Sequence, residues 1–385
     1  MTDSTDPRPD PGADPGGGDR RDPELGAAAS RPERTAGSPP LTSRQFWIQS
    51  PGRGEIVERE IPGQRPGHLR VRTAWTGISR GTESLVFRGE VPDSLHDSMR
   101  APFQEGEFPA PVKYGYCSVG RIEGDSARAG EWVFCLYPHQ DLYWVPPAAA
   151  TPIPEGVPPA RAVLAANLET ALNGVWDGRP GPGDRIAVVG AGVVGLLTAW
   201  ICGRILGARV TAIDRNPGRE PVARALGVEF ALPEELPRAE SDLVFHASGS
   251  SGGAAEALGL AGVEATVVEL SWFGSRGVTL PLGEGFHPRR LTLRSSQVGR
   301  IPPDRVARWD FERRRRVALE LLASDELDVL ISGESPFAEL PEVLARLSGE
   351  GADALCHRVV YPGTGAGSDP APGPASSSSA SSQPR

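Results

Sequence analysis

Lysine occurs once in this chain of 385 residues, at position 113, although 40 side chains are basic and all the others are arginine. It stands in P-V-K-Y-G-Y-C-S-V-G (111–120), with Tyr114 beside it and Tyr116 one glycine further on. An ammonium next to a phenol lowers the phenol's pKa from about 10 and makes it a better proton donor to an oxygen gaining negative charge. Strand alternation puts Lys113 and Tyr116 on opposite faces and Tyr114 with Tyr116. A bend at Gly115 is needed to bring the lysine to Tyr116. The arginine bias itself fits a GC-rich genome and carries no function.

A second group of residues has the spacing of a dinucleotide site. G-A-G-V-V-G (190–195) follows the apolar run I-A-V-V (186–189) and opens the helix-like run 193–206. A second strand, R-V-T-A-I-D (209–214), ends in Asp214, 24 residues after Gly190. In this order Gly190 permits the tight turn, Gly192 lets backbone approach a pyrophosphate, and Gly195 lets the helix pack close to the strand. The pyrophosphate sits at the helix N-terminus, at Val193 and Val194, where unpaired N–H groups point outward. Asp214 accepts from the adenosine ribose hydroxyls and repels a 2′-phosphate, so NAD is favoured; the adjacent Arg215 keeps NADP possible.

These residues need two kinds of scaffold. The first part of the chain is β-rich: H-L-R-V-R-T-A-W-T-G (68–77) alternates, and shorter runs follow at 116–122, 131–136 and 141–145, punctuated by Gly and Pro. From residue 181 apolar strands alternate with helical runs, with further strands at 242–246, 265–270 and 291–296. That is the pattern of a doubly wound parallel sheet. The ends lack apolar anchors, and residues 1–44 and 363–385 read as disordered tails. A formal charge of -9 argues against nucleic acid as partner. The four cysteines form no C-x-x-C, which disfavours a disulfide framework or a structural zinc lobe. No secretory h-region and no apolar run of roughly 18 residues is present, so the expectation is a cytoplasmic protein without membrane contact.

Four stretches resemble the medium-chain dehydrogenase/reductase (alcohol dehydrogenase-like) superfamily. T-G-I-S-R-G-T-E (76–83) resembles its G-I-C-x-[ST]-D stretch, and 111–120 its P-x-x-x-G-H-E-x-x-G stretch. N-L-E-T-A-L-N-G-V-W (167–176) resembles the segment leading into the cofactor domain, and S-P-F-A-E-L-P-E-V-L-A-R-L (335–347) the last helix. The resemblance implies an α/β protein: a GroES-like β-barrel catalytic domain (45–160 plus 300–362) and a Rossmann cofactor domain (161–299), assembled as a homodimer. In zinc-dependent members the metal is held by the cysteine of G-I-C, the histidine of G-H-E and a third ligand. Here those positions hold Ser79, Tyr116 and Glu169, with Cys117 in place of the neighbouring acid. Serine and tyrosine are poor zinc ligands, so the resemblance points to a zinc-free branch. Within it, I-S-R-G-T-E with Y-G-Y-C-S-V-G-R resembles the bacteriochlorophyllide hydroxyethyl dehydrogenase group. Arg80 takes a place from which the family reaches the cofactor pyrophosphate.

Without zinc, a protein donor must face the substrate oxygen. Tyr116, assisted by Lys113 or Ser79, is the candidate for that role and for carrying the proton. Glu169 either orients substrate or is a buried carboxylate paired with arginine. His139 lies on a loop within reach of the cleft, and His246 and Glu269 end cofactor-domain strands. R-R-R-R (313–316) reads as a solvated helix face. The sequence thus reads as an NAD(P)(H)-dependent oxidoreductase interconverting an alcohol and a carbonyl of a small-molecule substrate. Reduction of an activated C=C bond, and a non-catalytic NAD-binding sensor or scaffold, are the rival readings.

Overall fold

The computed structural model describes residues 39–349 and 351–363, so the tails beyond them, expected to be disordered, lie outside the described residues. The fold begins earlier than expected, because residues 41–44 belong to the strand Leu41–Ser50. That strand pairs antiparallel with Arg53–Ile61 through a P-G turn whose Gly52 has φ +78°. Buried polar residues hid it from a hydrophobicity reading. Ser43 is fully buried, and its hydroxyl donates to the Leu142 carbonyl oxygen at 2.8 Å. Hydrogen bonding of this kind offsets the cost of burying a hydroxyl.

The first domain contains two sheets. The four-stranded sheet has the order Arg53–Ile61, Leu41–Ser50, Val112–Lys113, Glu105–Gly106. The seven-stranded sheet is built around Leu69–Ile78, which pairs with Ser118–Glu123, Leu142–Val145 and the C-terminal strand Cys356–Val360. The C-terminal strand thus joins the sheet of the first part of the chain. The strand Ile331–Pro336 lies beside it at the edge of the same sheet. The preceding helix, Phe311–Leu321, packs on Ala165–Gly178, the helix that leads into the cofactor domain.

The second domain is a six-stranded sheet in the order Glu229–Ala231, Arg209–Ile213, Arg185–Val189, Ser241–His246, Ala261–Glu269, Thr292–Ser295. All five pairings are parallel. The chain moves outward from the central strand Arg185–Val189 in one direction and then in the other, so the sheet reverses direction beside it. Such a switch point opens a crevice at the carboxyl ends of the strands. One core cluster runs from Trp75, Val119 and Phe134 of the first domain through Leu168 to Leu197 and Phe245 of the second. Burial is thus continuous across the domain boundary. Among the described residues no helix is long and apolar enough to cross a membrane.

Candidate active site

The glycine loop lies at the carboxyl end of the central strand, and each glycine has a separate steric reason. Gly190 has φ +105°, and a Cβ there would stand 2.5 Å from the Ser248 backbone nitrogen. A Cβ on Gly195 would run into the Gly190 carbonyl oxygen. Gly192, the N-cap of the ten-residue helix Val193–Cys202, has open space where its Cβ would be. The partly exposed Gly192, Val193 and Val194 offer the N–H groups of a first helical turn. Asp214 accepts from the Ala191 N–H at 2.8 Å and the Asn216 N–H at 2.9 Å, which fixes its carboxylate beside the loop.

Arginine supply differs in detail from the expectation. Arg215 is exposed. Arg219, which sequence reasoning passed over, is buried and pairs with Asp353. Arg80 donates to the Ala352 carbonyl oxygen at 2.5 Å. Burial, and then Arg219, lower the Arg80 pKa, while Asp353 and Asp214 raise it. Arg80 therefore lies within the field of Asp214, on the crevice side of the first domain.

At Tyr116 the structure separates two residues that the sequence set together. Gly115 does bend the strand, with φ +128°, and a Cβ on it would stand 2.8 Å from the His139 ring. The bend does not deliver the lysine. Lys113 is fully buried and donates to Glu105 at 2.5 Å and to Gln140 at 2.6 Å. Burial lowers its pKa and Glu105 opposes that. A buried ammonium needs a counterion and acceptors, and these lie in the four-stranded sheet and the loop at 140. The assignment of Lys113 as partner of Tyr116 is corrected accordingly.

Tyr116 meets Tyr114 edge to face, ring centroids 6.0 Å apart, and the Ser79 side chain is near enough to act on the acidity of its hydroxyl. Burial, followed by Tyr114, Cys117 and Glu83, raises its pKa well above the ordinary 10, and only Ser79 acts the other way. The expected lowering is thus reversed. Tyr116 is a persistent O–H donor, not a phenolate base.

Ser79 takes the N-cap position of the helix Arg80–Phe87 without a side-chain cap bond, and its backbone N–H donates to Glu83 Oε1 at 2.8 Å. The other Glu83 oxygen accepts from His139 Nε2 at 2.9 Å, and His139 Nδ1 lies 2.7 Å from the Thr76 hydroxyl. Glu83 was not singled out in the sequence. Its signal was a serine followed four residues later by glutamate, one position longer than a capping box.

Glu169 is held by two arginines. Its oxygens accept from Arg314 Nε at 3.2 Å and Arg315 Nε at 3.3 Å, and Arg314 Nη1 donates to Asn173 Oδ1 at 2.6 Å. Arg313 and Arg316 are exposed, as a solvated face requires, but Arg314 and Arg315 are buried. The reading of R-R-R-R as solvated is corrected for its two central members. Their partners in the pattern were Ala318 and Leu319, one turn on, both fully buried.

The donor set does not fit a tetrahedral zinc ion. The three positions aligned with ligands supply two hydroxyls and a carboxylate whose oxygens both accept from guanidinium groups. Burial, with Glu83, Cys356 and Glu169, pushes the Cys117 thiol well above its usual range. Among the described residues no group of three His, Cys, Asp or Glu side chains has metal-site geometry.

No family model matches this sequence. It is 31% identical over 308 residues to 5-exo-hydroxycamphor dehydrogenase of Pseudomonas putida, covering 64% of this chain and 80% of that one. It is 26% identical over 296 residues to 2-desacetyl-2-hydroxyethyl bacteriochlorophyllide A dehydrogenase of Rhodobacter capsulatus, covering 72% and 85%. The starvation-sensing protein RspB of Escherichia coli K12 is 27% identical over 212 residues, and the match spans 49% of this chain and 62% of that relative's length. The crystal structure of RspB from Escherichia coli CFT073, complexed with NADH, superposes with a TM-score of 0.65 at 20% identity over 84% of this chain and 100% of that one.

Proposed function

This chain belongs to the alcohol dehydrogenase-like medium-chain dehydrogenase/reductase superfamily of NAD(P)-dependent oxidoreductases, and from that premise we propose that it interconverts an alcohol and a carbonyl without catalytic zinc. The observation that carries the proposal is the exchange of metal ligands for a hydroxyl pair, Tyr116 and Ser79, in a chain that keeps the glycine loop and Asp214. A bound nicotinamide supplies the hydride acceptor or donor.

The protein's own groups do the rest. Gly192, Val193 and Val194 receive the pyrophosphate with Arg80 beside them, and Asp214 takes the adenosine ribose, favouring NAD over NADP. Tyr116 donates to the substrate oxygen, and Ser79 orients the phenol. Glu169 serves as a buried carboxylate held by Arg314 and Arg315. In this reading the first domain is the GroES-like catalytic domain, and the sequence belongs to a zinc-free branch beside the bacteriochlorophyllide dehydrogenases. The edge strand Thr292–Ser295, with Leu293 41% exposed, is the surface for a second copy.

The test is turnover of an alcohol and carbonyl panel with deuterated NADH. Deuterium on a carbinol carbon supports the proposal. Deuterium β to a carbonyl transfers the chain to the C=C reductases, and NADH binding without turnover makes it a sensor.

A further inference from the structure

A cavity of about 500 Å³ lies on the first domain, lined from the strands Leu41–Ser50, Ile331–Pro336 and Cys356–Val360 and by none of the residues of the site described above. Small-molecule sites run from about 300 to 1,000 Å³. Its floor is apolar. The rings of Phe337 and Tyr361 stack there with centroids 4.3 Å apart, beside Val360.

One wall is cationic. Arg44 lines the cavity and holds its guanidinium 5.5 Å from the Phe337 ring centroid. Among the described residues no ion pair or hydrogen bond engages that guanidinium, although Glu58 is the register partner of Arg44 on the neighbouring strand. The Asp141 carboxylate is taken up instead by the Arg44 backbone N–H at 2.9 Å and the Ser43 hydroxyl at 3.0 Å. The other polar side chains of the wall are engaged: Glu334 pairs with Arg358, and the Ser335 hydroxyl lies 2.9 Å from His357 Nε2. A guanidinium fork beside an apolar floor selects an anion with an apolar body, and its planar match is a carboxylate. A dianionic phosphate would meet one unpaired cation and the carboxylate of Glu334 on the same wall.

The floor is also joined to the candidate active site. The Tyr361 hydroxyl lies 3.4 Å from that of Thr76, which lies 2.7 Å from His139 Nδ1. His139 continues through Glu83 to the Ser79 N–H. The backbone follows the same route. The Tyr361 N–H donates to the Ala74 carbonyl oxygen at 3.0 Å, on the strand Leu69–Ile78 that runs directly into Ser79. Tyr361, Thr76, His139 and Glu83 are all buried, so a displacement of the Tyr361 ring passes to its packed neighbours and not to solvent.

We propose that this cavity binds a small organic carboxylate with an apolar body, and that its occupancy is felt at Ser79 through Tyr361, Thr76, His139 and Glu83. Arg44 holds the carboxylate, and Tyr361 carries the contact inward. Binding is independent of the alcohol dehydrogenase reading, and only its effect on turnover rests on that reading.

Benzoate is the probe, and benzamide, of the same shape without the charge, is its control. In calorimetric titrations the wild-type protein binds benzoate roughly 10-fold more tightly than benzamide, the worth of a charge-assisted hydrogen bond. Arg44→Gln removes that difference and leaves benzamide unchanged, whereas Arg44→Lys, which keeps the charge, retains a preference for benzoate. The His139 imidazole resonances shift when benzoate is added to wild type. In Tyr361→Phe benzoate still binds and the shift is lost. Benzoate bound equally by wild type and Arg44→Gln, or by neither, overturns the site. Binding that requires Arg44 but leaves His139 unmoved overturns the coupling. Neither readout uses turnover, so a chain inactive on the alcohol panel overturns the proposed function and leaves this test intact.

Discussion

Glu83 and His139 meet at 2.9 Å with both side chains buried, and the same carboxylate holds the backbone N–H of Ser79. One acid thus anchors the helix start that carries Ser79 and the ring that lies against Gly115, the residue before Tyr116.

Removing that acid should loosen the site before it touches chemistry. Glu83→Ala leaves His139 and an N–H without their partner in the core, and is expected to cost about 3 kcal/mol. Urea unfolding checks this, and a loss below about 1 kcal/mol means that the pair does not organise the domain.

Replacing the hydroxyl of Tyr116 should act on turnover alone. Tyr116→Phe is expected to lower kcat by roughly 10²-fold, the cost of one lost donor at a developing oxyanion, with NADH affinity unchanged. Because the phenol is raised well above 10, kcat should show no tyrosine ionisation below that pH. Steady-state kinetics across pH test both statements.

Lys113 should matter for stability and not for rate. Its pKa is lowered in the fold, so between the folded value and the unfolded value of 10.5 the unfolded chain binds more protons. Stability contributed by this group therefore rises with pH through that window. Lys113→Met should abolish the rise in urea unfolding measured below pH 10, while kcat stays within about twofold, a change of under 0.5 kcal/mol in the barrier.

The glycines of the loop should separate binding from folding. Gly192→Val projects into open space and is expected to abolish NADH binding with little change in Tm. Gly195→Ala meets the Gly190 carbonyl and is expected to lower Tm by several degrees, the effect of about 1–3 kcal/mol of overpacking. Thermal unfolding beside NADH titration distinguishes them, and equal effects on both readouts contradict the steric account.

The part of the site that the sequence made legible is the part whose requirements are local. Gly190, Gly192, Gly195 and Asp214 owe their places to a turn, a helix start and a strand end, and all three are written in short-range spacing. Lys113 misled because its partner Gln140 is 27 residues away, on a strand connection that no spacing reveals. Arg314 and Arg315 were misread because four like charges hide a helical period that only Ala318 and Leu319 disclose. His246 and Glu269 come together because two parallel strands end side by side, a register that exists only in the folded sheet.

The central claim is that hydroxyl groups have replaced a metal at the substrate oxygen. Zinc per chain, measured by mass spectrometry on protein purified without chelator or affinity-tag metal and active on an alcohol, tests it most directly. The account predicts active enzyme with far less than one zinc per chain and no loss of turnover on chelation. About one tightly held zinc per chain, lost together with activity, would contradict it.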